Sequence, residues 1–133
     1  MASSRTFTID QANKMLPLVK SITKDIQTHW ERIILLRTEI ECAFEKKDIT
    51  APASLKEELD YLVDKINNYI GEVESLGLFV AEFKRGVINF PSLRNGQKIF
   101  LSWMAGEEVV EYWYDLDEGF GDRKHTTLQE SMK

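Results

Sequence analysis

The chain has 133 residues, a formal net charge of −5 at pH 7, one cysteine and two histidines. One cysteine cannot form an internal disulfide, and with only two histidines beside it the chain cannot complete a structural zinc site. The sequence pI of about 5.1 indicates no basic excess for neutralising phosphates, so nucleic acid is not an expected partner.

Two features of the chain bear on its location. Its longest apolar stretch, residues 76–81, is far shorter than the roughly 20 residues that a membrane-spanning helix needs. The N-terminus, Met-Ala-Ser-Ser-Arg, lacks the basic start and apolar run of a signal peptide, and an unpaired cysteine is typical of a reducing compartment. These features predict a cytoplasmic protein with no membrane partner.

The first part of the chain has the periodicity of a long amphipathic helix. Thr8 and Gln11 have the spacing of a capping box, which predicts a helix start near Ile9. Apolar residues then recur every three or four positions, and this stripe ends near Lys47. Because proline interrupts the backbone hydrogen bonds, we expect a bend at Pro17, with a short first piece before the long one.

A second helix follows after a polar break that contains a proline. Ser54 and Glu57 form another capping pattern, and the apolar stripe that follows runs to Leu76. Gly77 stands where a left-handed C-cap residue is expected. Residues 8–77 therefore predict an antiparallel helical hairpin, in which the second helix covers only the later part of the first.

The rest of the chain has turn residues spaced as in an antiparallel meander. Turn signals at Asn95-Gly96 and Ala105-Gly106 separate short apolar and aromatic runs. With the helices, these runs predict an α+β fold: a long antiparallel helical hairpin packed on a small three-stranded antiparallel β-meander. The expected strands are residues 87–90, 99–104 and 109–114.

We expect a single domain over residues 1–133. It comprises the hairpin at 8–77, the meander and an acidic loop at 78–125, and a frayed polar tail at 126–133. The middle strand is apolar on both faces, so both faces need cover. One can pack on the start of the first helix, which leaves the other for the loop at 78–83 or for a second copy of the chain.

Charge is unevenly distributed in the second half of the chain. Four basic residues and no acidic ones lie from Lys84 to Lys98, whereas seven acidic residues and no basic ones lie from Gly106 to Asp122. In one interpretation this is a solvated surface whose opposite charges attract weakly. In the other, it is a dipolar surface that steers a protein partner or a second subunit.

Residues 113–125 form a loop rich in candidate ligands. Asp115 and Asp117 match the first and third positions of an EF-hand loop, but the rest of that pattern fails. A looser site for a hard divalent cation, or an acid/base site, is predicted from Asp115, Asp117 and Glu118. The alternative is an acid-rich turn without a ligand.

The segment that closes this loop suggests an anion site. Gly119 and Gly121 would let the backbone approach an anion, and Arg123 would bind it through its guanidinium fork. In the alternative interpretation, Arg123 pairs with the acidic loop and Phe120 anchors in the core.

Two reactive side chains lie on the first helix. Cys42 lies between Ile40 and Ala43 and is predicted to be a small buried residue. His29 follows Asp25 by one helical turn, which predicts a hydrogen bond at the surface.

Several short motifs together resemble one family. They are residues 7–13 (Phe-Thr-Ile-Asp-Gln-Ala-Asn), 16–19 (Leu-Pro-Leu-Val), 86–91 (Gly-Val-Ile-Asn-Phe-Pro), 101–103 (Leu-Ser-Trp), 106–107 (Gly-Glu), Trp113 and 119–123 (Gly-Phe-Gly-Asp-Arg). Their combination is similar to the small bacterial proteins of domain of unknown function 2203, over nearly the whole chain. The resemblance implies no activity, cofactor or partner. Its pattern commonly has Asp at the position of Asn89 and His at that of Tyr114, so a ligand or acid/base pair there would be absent from this chain.

The leading hypothesis is a non-enzymatic cytoplasmic protein-interaction module. It is expected to form a homodimer, or to engage another protein, through the aromatic side of the sheet or through the hairpin. The alternative is a small-ligand or divalent-metal site in the loop at 113–125, with an acid/base or anion-binding role; no cofactor is predicted. For this alternative the ligand-binding candidates are Arg123, Gly119, Gly121, Trp113, Tyr114 and Asn89, and the metal-binding candidates are Asp115, Asp117 and Glu118.

Overall fold

A computed structural model of the protein describes residues 5–45 and 51–126. The expected end of the first helix near Lys47, and all of the predicted tail after Thr126, lie outside the described residues. No helix in the described ranges is both long and apolar enough to cross a membrane.

Two long helices begin the fold. Helix α1 spans Ile9–Glu45 and helix α2 spans Ala51–Ser75. The predicted capping box is present, since the Gln11 amide donates to Thr8 Oγ1 at 3.1 Å and the Thr8 amide donates to Gln11 Oε1 at 2.9 Å. Helix α1 includes Pro17 and continues through it as one element, so the short first piece does not form separately.

The later part of α1 packs on α2 through a small apolar cluster. Beside this cluster Arg32 Nε donates to Glu58 Oε2 at 2.9 Å across the two helices, and this contact lowers the pKa of Glu58. The buried members of the cluster are Ile33, Leu36, Leu62 and Ile66.

The two reactive side chains of α1 lie at the surface. Cys42 is exposed, so the prediction that it is buried is wrong. Consecutive helical residues are rotated by roughly 100° from each other, so a position next to buried Ala43 does not share its face. His29 makes the predicted one-turn contact, with its Nδ1 2.7 Å from the backbone carbonyl of Asp25.

The second half forms a five-stranded antiparallel sheet in sequence order, so the prediction of three strands is wrong. The first strand occupies the segment that we expected to be a covering loop, and the last is too short for a periodic pattern to reveal. The strands are β1 (Phe79–Glu82), β2 (Val87–Arg94), β3 (Gln97–Met104), β4 (Tyr112–Asp115) and β5 (Lys124–His125).

Strand β2 continues past Pro91, where the predicted strand stops. The Pro91 carbonyl accepts a hydrogen bond from the Phe7 amide at 2.8 Å, so the backbone N and carbonyl of Pro91 point away from β3. Strand β1 pairs with β2 only as far as Asn89, so no strand of the described residues neighbours Pro91 on that side. The missing proline N–H therefore costs no sheet hydrogen bond.

Strand β4 begins at Tyr112 rather than at the predicted residue 109. The reason is the side chain of Asn13 on α1, whose Nδ2 donates to the Val110 carbonyl at 3.1 Å and whose Oδ1 accepts from the Val110 amide at 2.7 Å. Both backbone polar groups of Val110 are therefore satisfied by the helix instead of by β3.

The sheet has an inner face on α1 and an outer face away from it. The inner face packs on the early part of α1, as predicted, through residues that include Ile88, Phe90, Leu101 and Trp103. By strand register, the outer face carries Phe79, Asn89, Pro91, Leu93, Lys98, Phe100, Ser102, Tyr112, Tyr114 and His125.

Candidate functional site

A buried polar pair lies at the centre of the outer face. The Tyr114 hydroxyl donates to Asn89 Oδ1 at 2.6 Å, and the two residues are 4% and 8% exposed. Ser102 stands between their strands, opposite Asn89 in register, and is fully buried. Burial raises the pKa of Tyr114, although the bond to Asn89 and the positive charge of Arg123 oppose that rise. Tyr114 is therefore a neutral hydrogen-bond donor at physiological pH.

Replacing Tyr114 with phenylalanine is expected to lower the free energy of unfolding by about 1–3 kcal/mol, because it leaves the buried Asn89 oxygen without a donor. Combining Tyr114→Phe with Asn89→Leu is expected to recover much of this loss, since neither partner then remains unpaired. Urea denaturation measures both values. Equal stability of Tyr114→Phe and the wild type would show that the hydrogen bond contributes nothing.

Aromatic rings border this polar pair. The ring of Phe100 lies 6.0 Å from that of Tyr114 and 6.5 Å from that of Phe79, both in edge-to-face geometry. Phe79 is 46% exposed and Leu93 is 53% exposed. The outer face therefore presents apolar carbon to solvent at Phe79 and Leu93, whereas its polar centre is buried and includes the Ser102 hydroxyl, which has no hydrogen-bond partner among the described residues.

Arg123 closes one side of the outer face. Its Nη1 and Nη2 donate to the two carboxylate oxygens of Glu107 at 3.0 and 2.8 Å. The guanidinium also lies 4.2 Å from the ring centroid of Tyr112 and 4.0 Å from that of Phe120. Both terminal nitrogens of the Arg123 guanidinium are thus already bound to Glu107 of the same chain.

The sequence allowed an interpretation in which Arg123 pairs with the acidic loop and Phe120 anchors in the core. The pairing of Arg123 differs from that interpretation in two ways. The acid is Glu107, which precedes the loop at 113–125. Phe120 is half-buried and lies against the guanidinium groups of Arg85 and Arg123 rather than in the core.

One of the two candidate glycines already uses its backbone donor in this conformation. Gly119 has extended backbone geometry, and its amide donates to Asp122 Oδ2 at 3.0 Å. Gly119 and Gly121 are both exposed, and neither has a positive φ. The local hydrogen bond of Gly119 uses the N–H that an anion would need.

The acidic loop is held by its own contacts. Glu118 Oε1 accepts from Lys124 Nζ at 2.6 Å and from the Asp115 amide at 2.9 Å. The hydrogen bond from Lys124 is the main reason that the pKa of Glu118 lies below its usual value. Within residues 5–45 and 51–126, no three His, Cys, Asp or Glu side chains are grouped to hold a metal ion. Metal binding by Asp115, Asp117 and Glu118 stays a prediction, and the structure does not bring these three carboxylates together.

The structure divides the predicted ligand-binding residues between two places. Asn89 and Tyr114 are in contact on the outer face, with Arg123 nearby. Trp113 instead belongs to the inner-face core, where its ring lies 4.7 Å from both the Arg94 guanidinium and Lys124 Nζ.

Several residues of the outer face were missed by sequence reasoning. Phe100 and Ser102 follow from the two-residue period of β3 once the inward positions are known. Phe79 was not predicted to lie on the sheet, because residues 78–83 were expected to form an apolar loop. Glu107 stands in one of the short family motifs, but no local pattern predicts its pairing with Arg123, which arises only in the folded sheet.

These features define a small α+β protein in which a helical hairpin supports an antiparallel sheet whose outer face has a buried polar centre and exposed apolar side chains at Phe79 and Leu93. A family model described as an uncharacterized conserved protein, DUF2203, matches residues 5–126, so the chain belongs to that family. Neither the curated proteins nor the solved structures give a match to this chain.

Proposed function

We propose that this protein is a cytoplasmic, non-enzymatic interaction module that forms a homodimer through the outer face of its sheet. The observation that carries the proposal is the exposure of Leu93 and Phe79 on that face, together with that of Leu116, which is 50% exposed in the turn after β4. Burying such carbon contributes about 25 cal/mol for each Å² removed from water. The exposed thiol of Cys42 suits a reducing compartment.

Ligand binding in the loop at 113–125 is less well supported. An anion at Arg123 would have to displace Glu107, and a cation at Glu118 would have to displace Lys124. Phe79, Leu93 and Leu116 need no such exchange, because these three side chains are already exposed to solvent. This difference favours a protein partner over a small ligand.

Self-association is tested by sedimentation equilibrium of the purified protein. The wild type is expected to have twice the 15.4 kDa mass of one chain. Replacing Leu93 and Leu116 together with glutamine is expected to weaken the dimer roughly a hundredfold, since it removes exposed aliphatic side chains from both copies. Glutamine avoids adding a charge beside Lys98.

The matched control replaces Leu18 and Leu35 of α1 with glutamine. These leucines are 50% and 58% exposed, close to the values of Leu93 and Leu116, but they lie on a helix. The control is expected to leave the dimer intact. A wild type that stays monomeric at high micromolar concentration would overturn the proposal. If only the control variant is monomeric, the interface lies on the hairpin and not on the outer face, which also overturns it.

A further inference from the structure

We infer that a cleft between the start of α1 and the inner face of the sheet binds a small organic carboxylate, held by the first turn of α1, the Arg94 guanidinium and the indole N–H of Trp113. The site is independent of the proposed dimer, because the ligand binds within one chain. Its first indication is a buried donor that the fold leaves unpaired.

That donor is the indole nitrogen of Trp113. Trp113 is 6% exposed, and its Nε1 has no hydrogen-bond partner among the residues that the structure describes. A buried N–H without an acceptor costs free energy, so nearly all such groups in folded proteins are paired. Trp103, the other indole of the inner face, follows this rule, since its Nε1 donates to the Glu107 carbonyl at 2.9 Å. The acceptor for Trp113 therefore has to be a bound water or a bound ligand.

A cleft of about 240 Å³ borders Trp113. It lies where the start of α1 meets the inner face of β2, β3 and β4. Apolar side chains form one part of its wall and polar side chains the rest; the lining includes Ile9, Ile99, Leu101, Thr8 and Arg94. Because ligand pockets usually enclose roughly 300 Å³ or more, this volume suits a small ligand with both an apolar and a polar part.

The start of α1 supplies free hydrogen-bond donors at one wall. The capping box uses the amides of Thr8 and Gln11, and the Ala12 amide donates to the Thr8 carbonyl. The amides of Ile9 and Asp10 have no acceptor within the described part of the chain. Free N–H groups and the helix dipole act together at a helix N-terminus, so this wall attracts an anion.

Arg94 places a cation beside the indole. Its guanidinium lies 4.7 Å from the Trp113 ring centroid, and the residue is half-buried. Because Nε1 is covered by protein atoms, an anion reaches it only after a neighbouring side chain shifts. Lys124 also lies 4.7 Å from the ring centroid but is bound to Glu118. Arg94 lines the cleft, so its long side chain can turn from the ring onto the anion and open this path.

The surroundings of the cleft favour a carboxylate over a phosphate. Asp10 follows Ile9 at the start of α1, and Asp115 is opposite Ile99 in the sheet register. Both acids repel a doubly charged ion more than a singly charged one. A short hydrocarbon chain also packs against the apolar part of the wall, which an inorganic ion cannot do. A carboxylate still accepts charge-assisted hydrogen bonds from a guanidinium.

Nuclear magnetic resonance of the indole N–H groups tests the site, with butyrate as the probe. The chain has three tryptophans, so three indole signals are expected, and the one that the Trp113→Phe variant lacks belongs to Trp113. Butyrate is expected to move this signal downfield until it saturates, with a dissociation constant on the order of 1 mM. The Trp103 indole is already hydrogen-bonded, so its signal is expected to stay in place.

Two further probes identify the chemistry that is recognised. Butyramide has the shape of butyrate without its charge, and inorganic phosphate has charge without a hydrocarbon chain. Each is expected to bind at least about tenfold more weakly than butyrate. If butyramide equals butyrate, the cleft does not recognise an anion; if phosphate equals butyrate, the carboxylate is the wrong ligand class.

Arg94→Gln tests the cation and is expected to weaken butyrate binding by about tenfold or more. The matched control is Arg85→Gln, which removes an arginine outside the cleft and is expected to leave binding unchanged. Circular dichroism melting checks that both variants fold. Equal weakening in the two variants would show that butyrate responds to the overall charge and not to this site. A Trp113 signal that does not move at butyrate concentrations on the order of 10 mM would overturn the inference.

Discussion

Replacing Gly86 with alanine is expected to lower the free energy of unfolding by about 2–6 kcal/mol, from backbone strain and overpacking together. Gly86 follows β1 and has φ of +70°, a conformation that favours glycine. A Cβ there would lie 2.7 Å from Thr23 Cγ2 and 3.0 Å from Ala105 Cβ. Thr23 is 1% exposed on α1, so it has no free space into which to move. Urea denaturation and thermal melting measure the loss.

Two other glycines separate the causes of this effect. Gly96 has φ of +82°, but a Cβ there would have no atom within 4 Å, so alanine at this position is expected to cost only the strain, about 1–2 kcal/mol. Gly71 lies inside α2 with neither restriction, and alanine there is expected to stabilise the protein by about 0.5–1 kcal/mol. If Gly86→Ala costs no more than Gly96→Ala, close packing between α1 and the sheet is not what requires this glycine.

Replacing Arg123 with alanine is expected to lower the free energy of unfolding by about 3–5 kcal/mol, because it leaves the mostly buried carboxylate of Glu107 without its counter-charge. The two side chains are only 13% and 16% exposed. Glu107 is also tied to its surroundings, since its Oε1 accepts from the Met104 amide at 2.8 Å and its backbone carbonyl accepts from the Trp103 indole at 2.9 Å. The carboxylate is therefore held in place and cannot turn fully into water.

Arg85 provides the matched control. It makes a bidentate contact with Glu82 at 2.7 Å for both bonds and lies 4.5 Å from the Phe120 ring centroid, so it repeats the chemistry of Arg123. Its side chain is 51% exposed, however, and water screens its charge. Arg85→Ala is expected to change stability far less than Arg123→Ala. Equal losses in the two variants, measured by urea denaturation, would contradict an effect of burial.

Local patterns predicted the helices and the central hairpin of the sheet because their signals lie close together in the chain. The capping box at Thr8 and the turn at Asn95-Gly96 are both present, and Asn95 has the positive φ of 52° that suits a tight hairpin turn. Strands β1 and β5 were not predicted. Strand β5 has two residues, and its pairing with β4 depends on how the intervening loop closes.

The outer-face site was predictable only in part, for a physical reason. Asn89 and Tyr114 were singled out from the family resemblance, but their hydrogen bond arises from sheet register, which no local spacing reveals. The same holds for Arg123 and Glu107, which only the fold brings together. The exposure of Cys42 likewise depends on which side of α1 the second helix covers.

Within residues 5–45 and 51–126, the buried apolar side chains form two clusters that the helices connect. The larger includes the sheet and the early part of α1, whereas the smaller has four buried residues between the helices. Because the described part of the far end of the hairpin has so few buried side chains, we expect it to open at lower free energy than the sheet. Amide exchange in that end therefore reports local opening, and only amides of the sheet and the adjoining helix segments report global unfolding.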